Sequence, residues 1–428
     1  MKSYSVSLAQ VLDARERRAA IQNKMLAGAG QGHCLICLTL NIAGEVKRTP
    51  MTRMLFGRGV RELKALDLRI ADSFMLDEPT GSEGFWLAEE DPAEVKRQLE
   101  TVEDSFPAAR LFDFDVLTAD GTKLSRNESR RCLICDAPAA ECARSRRHGL
   151  DAVKAASDRL LRQFCADELA EAAHDSLLDE LYTTPKPGLV DLMSCGAHTD
   201  MDVPLFEKSA AALVPYFRDA ALMGMDCCEM ADLRRRGLEA EQDMFRATGG
   251  VNTHKGMIYS MGLLLAGMGR CLTDGGDCIE HAAELARRDA DKYLGENLER
   301  PVTNGGAVYR KYGAGGATAE AASGFPEAEY CFSRLVHYRS LGCGNPDALS
   351  FCDVMADLED TNLLHRGGEE GLGFARQAAA EIAAMPEAER EKALAELDDE
   401  MIRRNLSPGG SADMLALAFL LERWQILL

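Results

Sequence analysis

The sequence predicts an α+β domain followed by a larger all-α domain, and three observations lead to that prediction. The chain has 428 residues, a length that favours two domains over one. Segments rich in β-branched and aromatic residues occur up to about residue 150, and Ala, Leu, Glu and Arg at helical spacing dominate afterwards. The two patterns meet within 150–172, and we place the boundary between residues 160 and 161.

Local signals in the first domain, residues 1–160, define its elements. Asp91 followed by Pro92 is typical of a helix N-cap with proline in the first turn. The dipeptide Asp120-Gly121 is a turn signal that closes the strand before it. The predicted elements are a helix over 7–27, a strand over 34–42, a helix over 92–104 and a strand over 109–118. Cys34 and Cys37, although spaced C-x-x-C, are expected in the core of their strand.

The second domain, residues 161–428, is predicted to contain about ten helices. Glycine-rich segments interrupt the helical pattern, and binding or catalytic residues are often placed in such loops. These segments cover residues 185–202, 248–256, 305–324, 366–373 and 406–411. We therefore expect functional loops at the ends of the helices.

Composition and charge narrow the range of functions. The chain is 46% hydrophobic with a formal net charge of −20, which argues for packed cores and against a general nucleic-acid binder. The first residues lack the apolar stretch of a secretory signal, and the apolar run near 257–269 is too short to span a bilayer. Fourteen cysteines without an export signal indicate reduced thiols in the cytoplasm. A phosphorylated substrate would be held by local groups, with Mg²⁺ as a helper.

One candidate metal site lies in the segment LFDFDV of the first domain. The strand period of two places Asp113 and Asp115 on one face and apolar side chains on the other. Two carboxylates in this arrangement suit Mg²⁺ bound to the phosphates of a substrate. The alternative is a half-exposed strand with solvated aspartates.

A second candidate metal site lies in RRCLICDAPAAECARSRRH, residues 130–148. Its spacing, C-x2-C-x6-C-x5-H, suits a tetrahedral zinc site, and its members are Cys132, Cys135, Cys142 and His148. The alternative is three packed thiols and an exposed histidine. Arg144 and Arg146, with Arg147, form either a solvated helix face or a phosphate-binding group.

The first domain resembles a known enzyme family through three segments, LTLNIAGEVK (38–47), RLFDFDV (110–116) and the cysteine-rich segment 130–148. The family is holo-citrate lyase synthase, also called apo-citrate lyase phosphoribosyl-dephospho-CoA transferase. The resemblance implies that a prosthetic group is attached to a serine of the lyase's acyl carrier subunit and that pyrophosphate is released. It also implies a nucleotidyl-type transfer, for which we expect a nucleotidyltransferase-like fold with Mg²⁺ at Asp113 and Asp115. Ala43 departs from the proline expected in this family.

The most distinctive stretch of the second domain is TGGVNTHKG, residues 248–256. Asn252 or Thr253 is a candidate cap for a helix whose first-turn N–H groups would face a ligand. Gly249 and Gly250 would allow the ligand to approach the backbone, and Lys255 adds a positive charge. The pattern favours a phosphate site, and the alternative is a glycine hinge beside a satisfied histidine.

Five other segments of this domain carry polar candidates next to glycine or proline. For each one the alternative is a helix cap or a solvated loop. The candidates are Lys186 in TPKPGLVD, His198, Asp200 and Asp202 in GAHTDMD, Glu320 in YGAGGATAEAASGF, Asp360, Asn362 and Arg366 in DTNLLHRGG, and Ser411 and Asp413 in SPGGSADMLA.

Together these motifs, over about 172–428, resemble triphosphoribosyl-dephospho-CoA synthase. The resemblance implies that ATP and dephospho-CoA are joined through a ribose–ribose glycosidic bond and that adenine is expelled. Such a displacement needs a carboxylate near the anomeric carbon and groups that move protons. Thr318-Ala319 replaces the Arg-Gly expected before Glu320, so a phosphate-binding arginine of the family is missing here.

The resemblance implies roles for the candidates of the second domain. His198, His254 and Glu320 are candidate proton-transfer groups, and Lys186, Lys255 and Arg366 are candidate triphosphate ligands. Asp200, Asp202, Asp360 and Asp413 are candidate Mg²⁺ ligands. The predicted protein is therefore a transferase that makes the prosthetic-group precursor and attaches it to the carrier subunit of citrate lyase. The alternatives are the same chemistry for the carrier of malonate decarboxylase, and a non-catalytic factor that only binds the carrier.

Overall fold

The structure is a computed structural model that describes residues 5–30, 32–126, 128–135, 137–299 and 304–428. The chain divides into two compact units. Unit 1 comprises Met1–Cys165, Leu272–Gly275 and Leu427–Leu428, and unit 2 comprises Ala166–Cys271 and Gly276–Ile426. The predicted domain boundary between residues 160 and 161 remains a proposal.

Unit 1 is built on a small antiparallel sheet with helices on its faces. Its strand order is β2-β3-β1-β4. The elements are α1 (Leu8–Leu26), β1 (Cys34–Leu40), α2 (Pro50–Ala65), β2 (Ile70–Glu78), β3 (Gly81–Ala88), α3 (Pro92–Glu103), a 3₁₀ helix (Pro107–Leu111), β4 (Phe112–Thr118), α4 (Ala139–Ser145) and the first half of α5 (Leu150–Tyr182).

The two faces of the sheet follow from the register of its strands. Leu35 pairs with Leu87 and Leu117, and these side chains form a core with Leu26 at the end of α1. On the other face α2 approaches the sheet closely at Gly59. A Cβ there would lie 2.9 Å from Leu38 and 3.0 Å from Phe112. The glycine is therefore required by this helix–sheet packing.

The four predicted elements of unit 1 are confirmed with one correction, and the structure adds α2, β2, β3 and α4. The α3 helix begins as predicted, because the Asp91 side chain accepts a hydrogen bond from the N–H of Glu94. The predicted strand 109–118 is shorter than expected, since the chain forms a 3₁₀ turn up to Leu111 before β4 begins. Strands β2 and β3 were not predicted. In β2 nearly every residue is exposed, so the strand lacks the alternation that identifies half-buried strands. The sheet alone does not identify a nucleotidyltransferase-like fold.

Unit 2 is all-helical over its described residues, as predicted. Its helices, after the second half of α5, are α6 (Val203–Met225), α7 (Met230–Thr248), α8 (Lys255–Asp274), α9 (Cys278–Glu299), α10 (Asn304–Tyr312), α11 (Gly316–Ser323), α12 (Pro326–Ser340), α13 (Pro346–Asp357), α14 (Thr361–Ala384), α15 (Glu387–Arg403) and α16 (Gly409–Leu427).

Helix α8 is the most buried part of unit 2 and packs tightly against α6. A Cβ at Gly224 would lie 1.9 Å from the carbonyl oxygen of Ala266, and a Cβ at Gly269 would lie 2.1 Å from that of Ala221. The glycines of the segment MIYSMGLLLAGMG therefore serve close helix packing. This explains a glycine-rich apolar run without a membrane function. Over the described residues, no helix combines the length and apolar character needed to cross a bilayer.

The glycine segment 366–373 interrupts the helical pattern as predicted, because Gly368 within α14 has a non-helical backbone with φ 63° and ψ −160°. One predicted helix cap in unit 2 needs correction. Helix α16 begins at Gly409, so Ser411 lies inside its first turn instead of capping it. Ser411 donates to Asp360 from its N–H (2.8 Å) and from its hydroxyl (3.0 Å).

Candidate functional sites

Unit 2 contains a large cavity that gathers most of the residues predicted for its site. The cavity has a volume of about 1080 Å³ and combines apolar walls with charged side chains. Gly249, Gly250, Asp200 and Asp202 do not line it. The predicted residues that do line it are Lys186, His198, Asn252, Thr253, His254, Lys255, Glu320, Asp360, Asn362, Arg366 and Asp413.

The start of α8 forms one wall of the cavity and has the predicted helix cap. The side-chain oxygen of Asn252 accepts a hydrogen bond from the N–H of Lys255, at 3.2 Å. The Lys255 ammonium pairs with Glu241 at 2.9 Å. Gly249 and Gly250 have φ values of 67° and 97° and end α7 in the left-handed region, and an added Cβ at either position would meet open space. Their conformation, rather than a close contact, requires glycine.

Asp413 lies beside the first turn of α8. An alanine at Gly256 would bring its Cβ to 2.9 Å from the Asp413 carboxylate, so this glycine allows the approach. Burial, with the charges of Glu180 and Asp360, raises the pKa of Asp413 well above its usual range. Within the part of the chain that the structure describes, Asp413 has no hydrogen bond or ion pair. Its carboxyl group is therefore available to a proton, a metal ion or a substrate.

Glu320 is a second carboxyl group whose acidity is strongly changed. It lies in α11, and one of its oxygens accepts hydrogen bonds from the N–H groups of Glu327 (2.8 Å) and Ala328 (3.3 Å). Burial raises its pKa to about 7, although these hydrogen bonds oppose the shift. A group with this pKa exchanges protons readily at neutral pH, as a general acid or base must.

His254 is buried and its pKa falls to about 3, because burial and the charge of Lys186 both disfavour the imidazolium. Its Nδ1 lies 2.7 Å from the Ser209 hydroxyl. Lys186 is 1% exposed and its ammonium pairs with the Glu180 carboxylate and donates to the Glu180 carbonyl oxygen at 2.6 Å. At neutral pH His254 is therefore uncharged, and Lys186 is held by one acidic residue.

His198 and Arg366 form one connected group at another wall of the cavity. The Nε2 of His198 lies 2.9 Å from the Ser407 hydroxyl, and its Nδ1 lies 3.3 Å from the Arg366 guanidinium. Burial and the Arg366 charge lower the pKa of His198, while Asp200 opposes this shift. Arg366 also donates to the carbonyl oxygen of Ala197 at 2.9 Å.

Two predicted Mg²⁺ ligands, Asp360 and Asp202, accept hydrogen bonds at helix starts. Asp360 caps α14 through the N–H groups of Asn362 and Leu363, and its second oxygen accepts the two hydrogen bonds of Ser411. Asp202 caps α6 by accepting from the N–H of Leu205 at 3.0 Å. Both aspartates stabilise helix starts, and Asp200 is exposed in the preceding loop.

In unit 1 the strand pattern of β4 is the predicted one. Asp113 and Asp115 share the partly exposed face, and Phe112, Phe114 and Val116 are buried. Each aspartate faces a cation. Asp113 lies 3.3 Å from Arg130, and Asp115 lies 2.6 Å from Lys123.

A buried acidic residue that the sequence did not reveal organises the arginines near β4. Glu103, 1% exposed, accepts from the N–H of Phe114 at 2.8 Å and pairs with Arg126 and Arg130. These contacts fix arginines at the edge of a cavity of about 780 Å³. The arginines that line it are Arg110, Arg126, Arg130, Arg131 and Arg146. The predicted Arg144 does not line the cavity and donates to the carbonyl oxygen of Ala140.

The cysteine-rich segment brings its four predicted ligands together. Their ligand atoms lie within 4.8 Å of one another. The Sγ of Cys135 lies 3.6 Å from the Sγ of Cys142 and 3.3 Å from the Nε2 of His148.

Comparison with known proteins identifies the two regions of the chain. Residues 166–426 match the family ATP:dephospho-CoA triphosphoribosyl transferase, and residues 6–164 match the family apo-citrate lyase phosphoribosyl-dephospho-CoA transferase. The protein is thus a transferase with two catalytic regions. It belongs to the ATP:dephospho-CoA triphosphoribosyl transferase family, fused to an apo-citrate lyase phosphoribosyl-dephospho-CoA transferase region.

Curated relatives have the same arrangement. The chain is 34% identical to the protein CitXG of Haemophilus influenzae, covering 96% of this chain and 95% of the relative. It is 30% identical to the protein CitXG of Leuconostoc mesenteroides, covering 98% and 97%. The 2-(5''-triphosphoribosyl)-3'-dephosphocoenzyme-A synthase of Klebsiella pneumoniae is 38% identical and matches 62% of this chain and 93% of its own length.

Proposed function

We propose that the cavity of unit 2 joins ATP to dephospho-CoA, and that unit 1 transfers the resulting phosphoribosyl-dephospho-CoA to a serine of the acyl carrier subunit of citrate lyase. In the first reaction a ribose hydroxyl of dephospho-CoA attacks the anomeric carbon of ATP, and the bond to adenine breaks. In the second reaction the serine hydroxyl attacks the phosphorus next to the ribose, and pyrophosphate leaves. The cavity of unit 2 is large enough to hold a nucleotide and a second ligand.

The raised pKa of Glu320 is the observation that carries the assignment of unit 2. Departure of adenine requires that the ring receive a proton, and the acid must be protonated at the working pH. Glu320, with a pKa of about 7, meets this condition. His254 does not, because its pKa of about 3 leaves it neutral at pH 7. We assign proton donation to Glu320 and a hydrogen-bonding role to the neutral His254.

The carboxyl group of Asp413 fits either Mg²⁺ or the positive charge that develops at the anomeric carbon. It is unpaired within the described residues, and the other acidic groups nearby, Glu180 and Asp360, are occupied by Lys186 and by helix N–H groups. Bound Mg²⁺ would neutralise phosphate charge. Lys255 and Arg366 lie at the wall of the same cavity and supply positive charge for the triphosphate.

In unit 1 the arginine-lined cavity is the proposed site for the triphosphoribosyl donor. Transfer at phosphorus depends mainly on charge neutralisation and alignment, so a site with several fixed cations suits it. Arg130 contacts Asp113 and therefore connects this cavity to the carboxylate face of β4. Asp113 and Asp115 would hold Mg²⁺ there, with Arg130 and Lys123 as their present partners. A nucleotidyltransferase-like fold for this unit is part of the proposal.

The full chain, incubated with ATP, dephospho-CoA and the apo-carrier of citrate lyase, tests the proposed function. Chromatography should detect adenine only when dephospho-CoA is present, and mass spectrometry should detect a carrier heavier by phosphoribosyl-dephospho-CoA. Release of ADP or AMP instead of adenine would contradict the glycosyl transfer. Modification of a malonate decarboxylase carrier, but not of the citrate lyase carrier, would contradict the proposed client.

A further inference from the structure

We propose that Cys132, Cys135, Cys142 and His148 bind one Zn²⁺ ion, which holds the segment 130–148 of unit 1 in place. Within the described residues, this is the one group of three or more His, Cys, Asp or Glu side chains whose ligand atoms converge closely enough for a single ion. The inference rests on this geometry and does not depend on the proposed reactions.

The distances match a tetrahedron around one ion. With Zn–S bonds of about 2.3 Å and Zn–N bonds of about 2.0 Å, the edges are roughly 3.8 Å between two sulfurs and roughly 3.5 Å between sulfur and nitrogen. The observed separations are 3.6 Å for Cys135–Cys142 and 3.3 Å for Cys135–His148. A bridged iron–sulfur cluster would spread its ligands over two or more irons, whereas here all four atoms lie within 4.8 Å.

The backbone near Cys132 also supports metal binding. Its Sγ accepts a hydrogen bond from the N–H of Ile134, at 3.4 Å, which holds the sulfur in position. Cys142 comes from α4 and His148 from the residues between α4 and α5, so three separate pieces of chain meet at one point. Cysteines that only pack in a hydrophobic core would not need the ring nitrogen of a histidine beside their sulfur atoms.

A Zn²⁺ ion at this position would stabilise the backbone that carries Arg130. Arg131 and Pro138 form an antiparallel bridge, and the N–H of Ala139 donates to the carbonyl oxygen of Arg130 at 2.7 Å. Arg110, in the 3₁₀ helix before β4, donates to the carbonyl oxygens of Arg131 (2.9 Å) and Cys132 (2.8 Å). Since the four protein ligands complete a tetrahedron, the ion has no open position for substrate, and its role is structural.

A disulfide between Cys135 and Cys142 is the competing interpretation. Their sulfurs are near enough to react, but a disulfide would leave Cys132 and His148 without a shared function. Zinc uses all four groups. The two alternatives also differ in an observable way, since zinc leaves three thiols that a mercurial reagent can titrate with release of the metal.

The direct test is the metal content of the full chain, purified without chelator from medium that contains zinc and iron. We expect about one zinc per chain by plasma mass spectrometry, and its release by p-hydroxymercuribenzoate. A zinc content below about 0.1 per chain would overturn the proposal, as would stoichiometric iron or a Cys135–Cys142 disulfide in the peptide map. This measurement on the wild-type protein decides the question even if a variant does not fold.

Variants then test the structural role. Cys135→Ser should lose the zinc and increase hydrogen–deuterium exchange in 128–150 at least tenfold, with exchange in α14 of unit 2 unchanged. Cys343→Ser, a substitution of a partly exposed cysteine of unit 2, is the matched control and should keep the metal and the wild-type exchange. Full zinc retention in Cys135→Ser, or unchanged exchange in 128–150 after zinc loss, would contradict the inference. None of these readouts measures catalysis, so they are independent of the proposed activities.

Discussion

The candidate functional carboxyl groups of the two units differ in their surroundings. On β4 of unit 1, Asp113 and Asp115 are partly exposed, and each faces a cation from the residues that follow the strand. In unit 2, Asp413 and Glu320 lack a cationic partner among the described residues, and burial raises the pKa of both. The first arrangement pairs each carboxylate with a cation, whereas the second raises the pKa of carboxyl groups that have no cationic partner.

This difference in the surroundings of the carboxyl groups corresponds to the reaction proposed for each unit. A displacement that expels adenine needs a proton donor, and a carboxyl group with a raised pKa, such as that of Glu320, supplies one. A transfer between phosphate oxygens needs fixed positive charge and a metal site, and arginines held by a buried glutamate provide the charge. The following predictions test this contrast, beginning with the largest expected effect.

Glu320→Gln should lower the rate of adenine formation by roughly a thousandfold, because loss of a general acid commonly costs 10² to 10⁴ in rate. The wild-type rate should fall as pH rises through about 7, since the carboxyl group loses its proton there. The rate of the variant should not fall over this pH range. Stopped assays from pH 5.5 to 9 would measure the loss of rate and its pH dependence. Glu391→Gln, at an exposed position of α15, is the control. If the rate of Glu320→Gln still falls as pH rises through about 7, Glu320 is not the general acid.

Asp413→Asn should lower adenine formation by about a hundredfold or more, because the amide cannot neutralise a metal ion or a developing positive charge. The carrier should still be modified normally when the finished triphosphoribosyl precursor is supplied. Asp202→Asn, which changes a helix cap outside the cavity, should alter the rate less than about threefold. Equal losses in the two variants would show that burial and lack of a partner do not identify the functional carboxyl group.

Asp113→Asn should produce the reverse pattern. Carrier modification should fall by about a hundredfold, as expected for loss of a metal ligand, while adenine release stays within about twofold of the wild type. Asp72→Asn on the exposed edge strand is the matched control. If Asp113→Asn disables both reactions in a folded protein, the contrast between the two regions is wrong and they share one centre.

Much of this arrangement followed from local sequence signals. The α3 cap at Asp91, the alternation of β4 and the start of α8 at Lys255 depend on neighbouring residues, so the sequence predicted them. The edge strand β2 lacks such a pattern, because side chains on both of its faces are exposed, including the apolar Ile70, Phe74 and Met75.

The partners of the candidate residues were not predictable in this way. Asp360 and Asp413 both occur in segments that contain paired glycines, yet Asp360 accepts hydrogen bonds from N–H groups and Asp413 has no partner among the described residues. Glu103 accepts from Phe114 and organises two arginines more than twenty residues away. Such contacts depend on tertiary packing, which no spacing rule describes. The cysteine cluster is different, because its spacing alone predicted which four side chains lie close together.

The smallest expected effect concerns Gly249, which the sequence suggested as a place where a ligand approaches the backbone. In the structure its φ is 67°, it ends α7, and an added Cβ would meet open space. Gly249→Ala should therefore lower the free energy of unfolding by about 1 kcal/mol, the cost of a side chain in the left-handed region. The KM for ATP should change less than about twofold, because the new methyl group touches nothing. Gly373→Ala, which adds a methyl group into open space within α14, is the control and should not destabilise the protein. Urea unfolding and initial rates would measure both quantities. A tenfold rise in KM at unchanged stability would instead place Gly249 against the bound triphosphate.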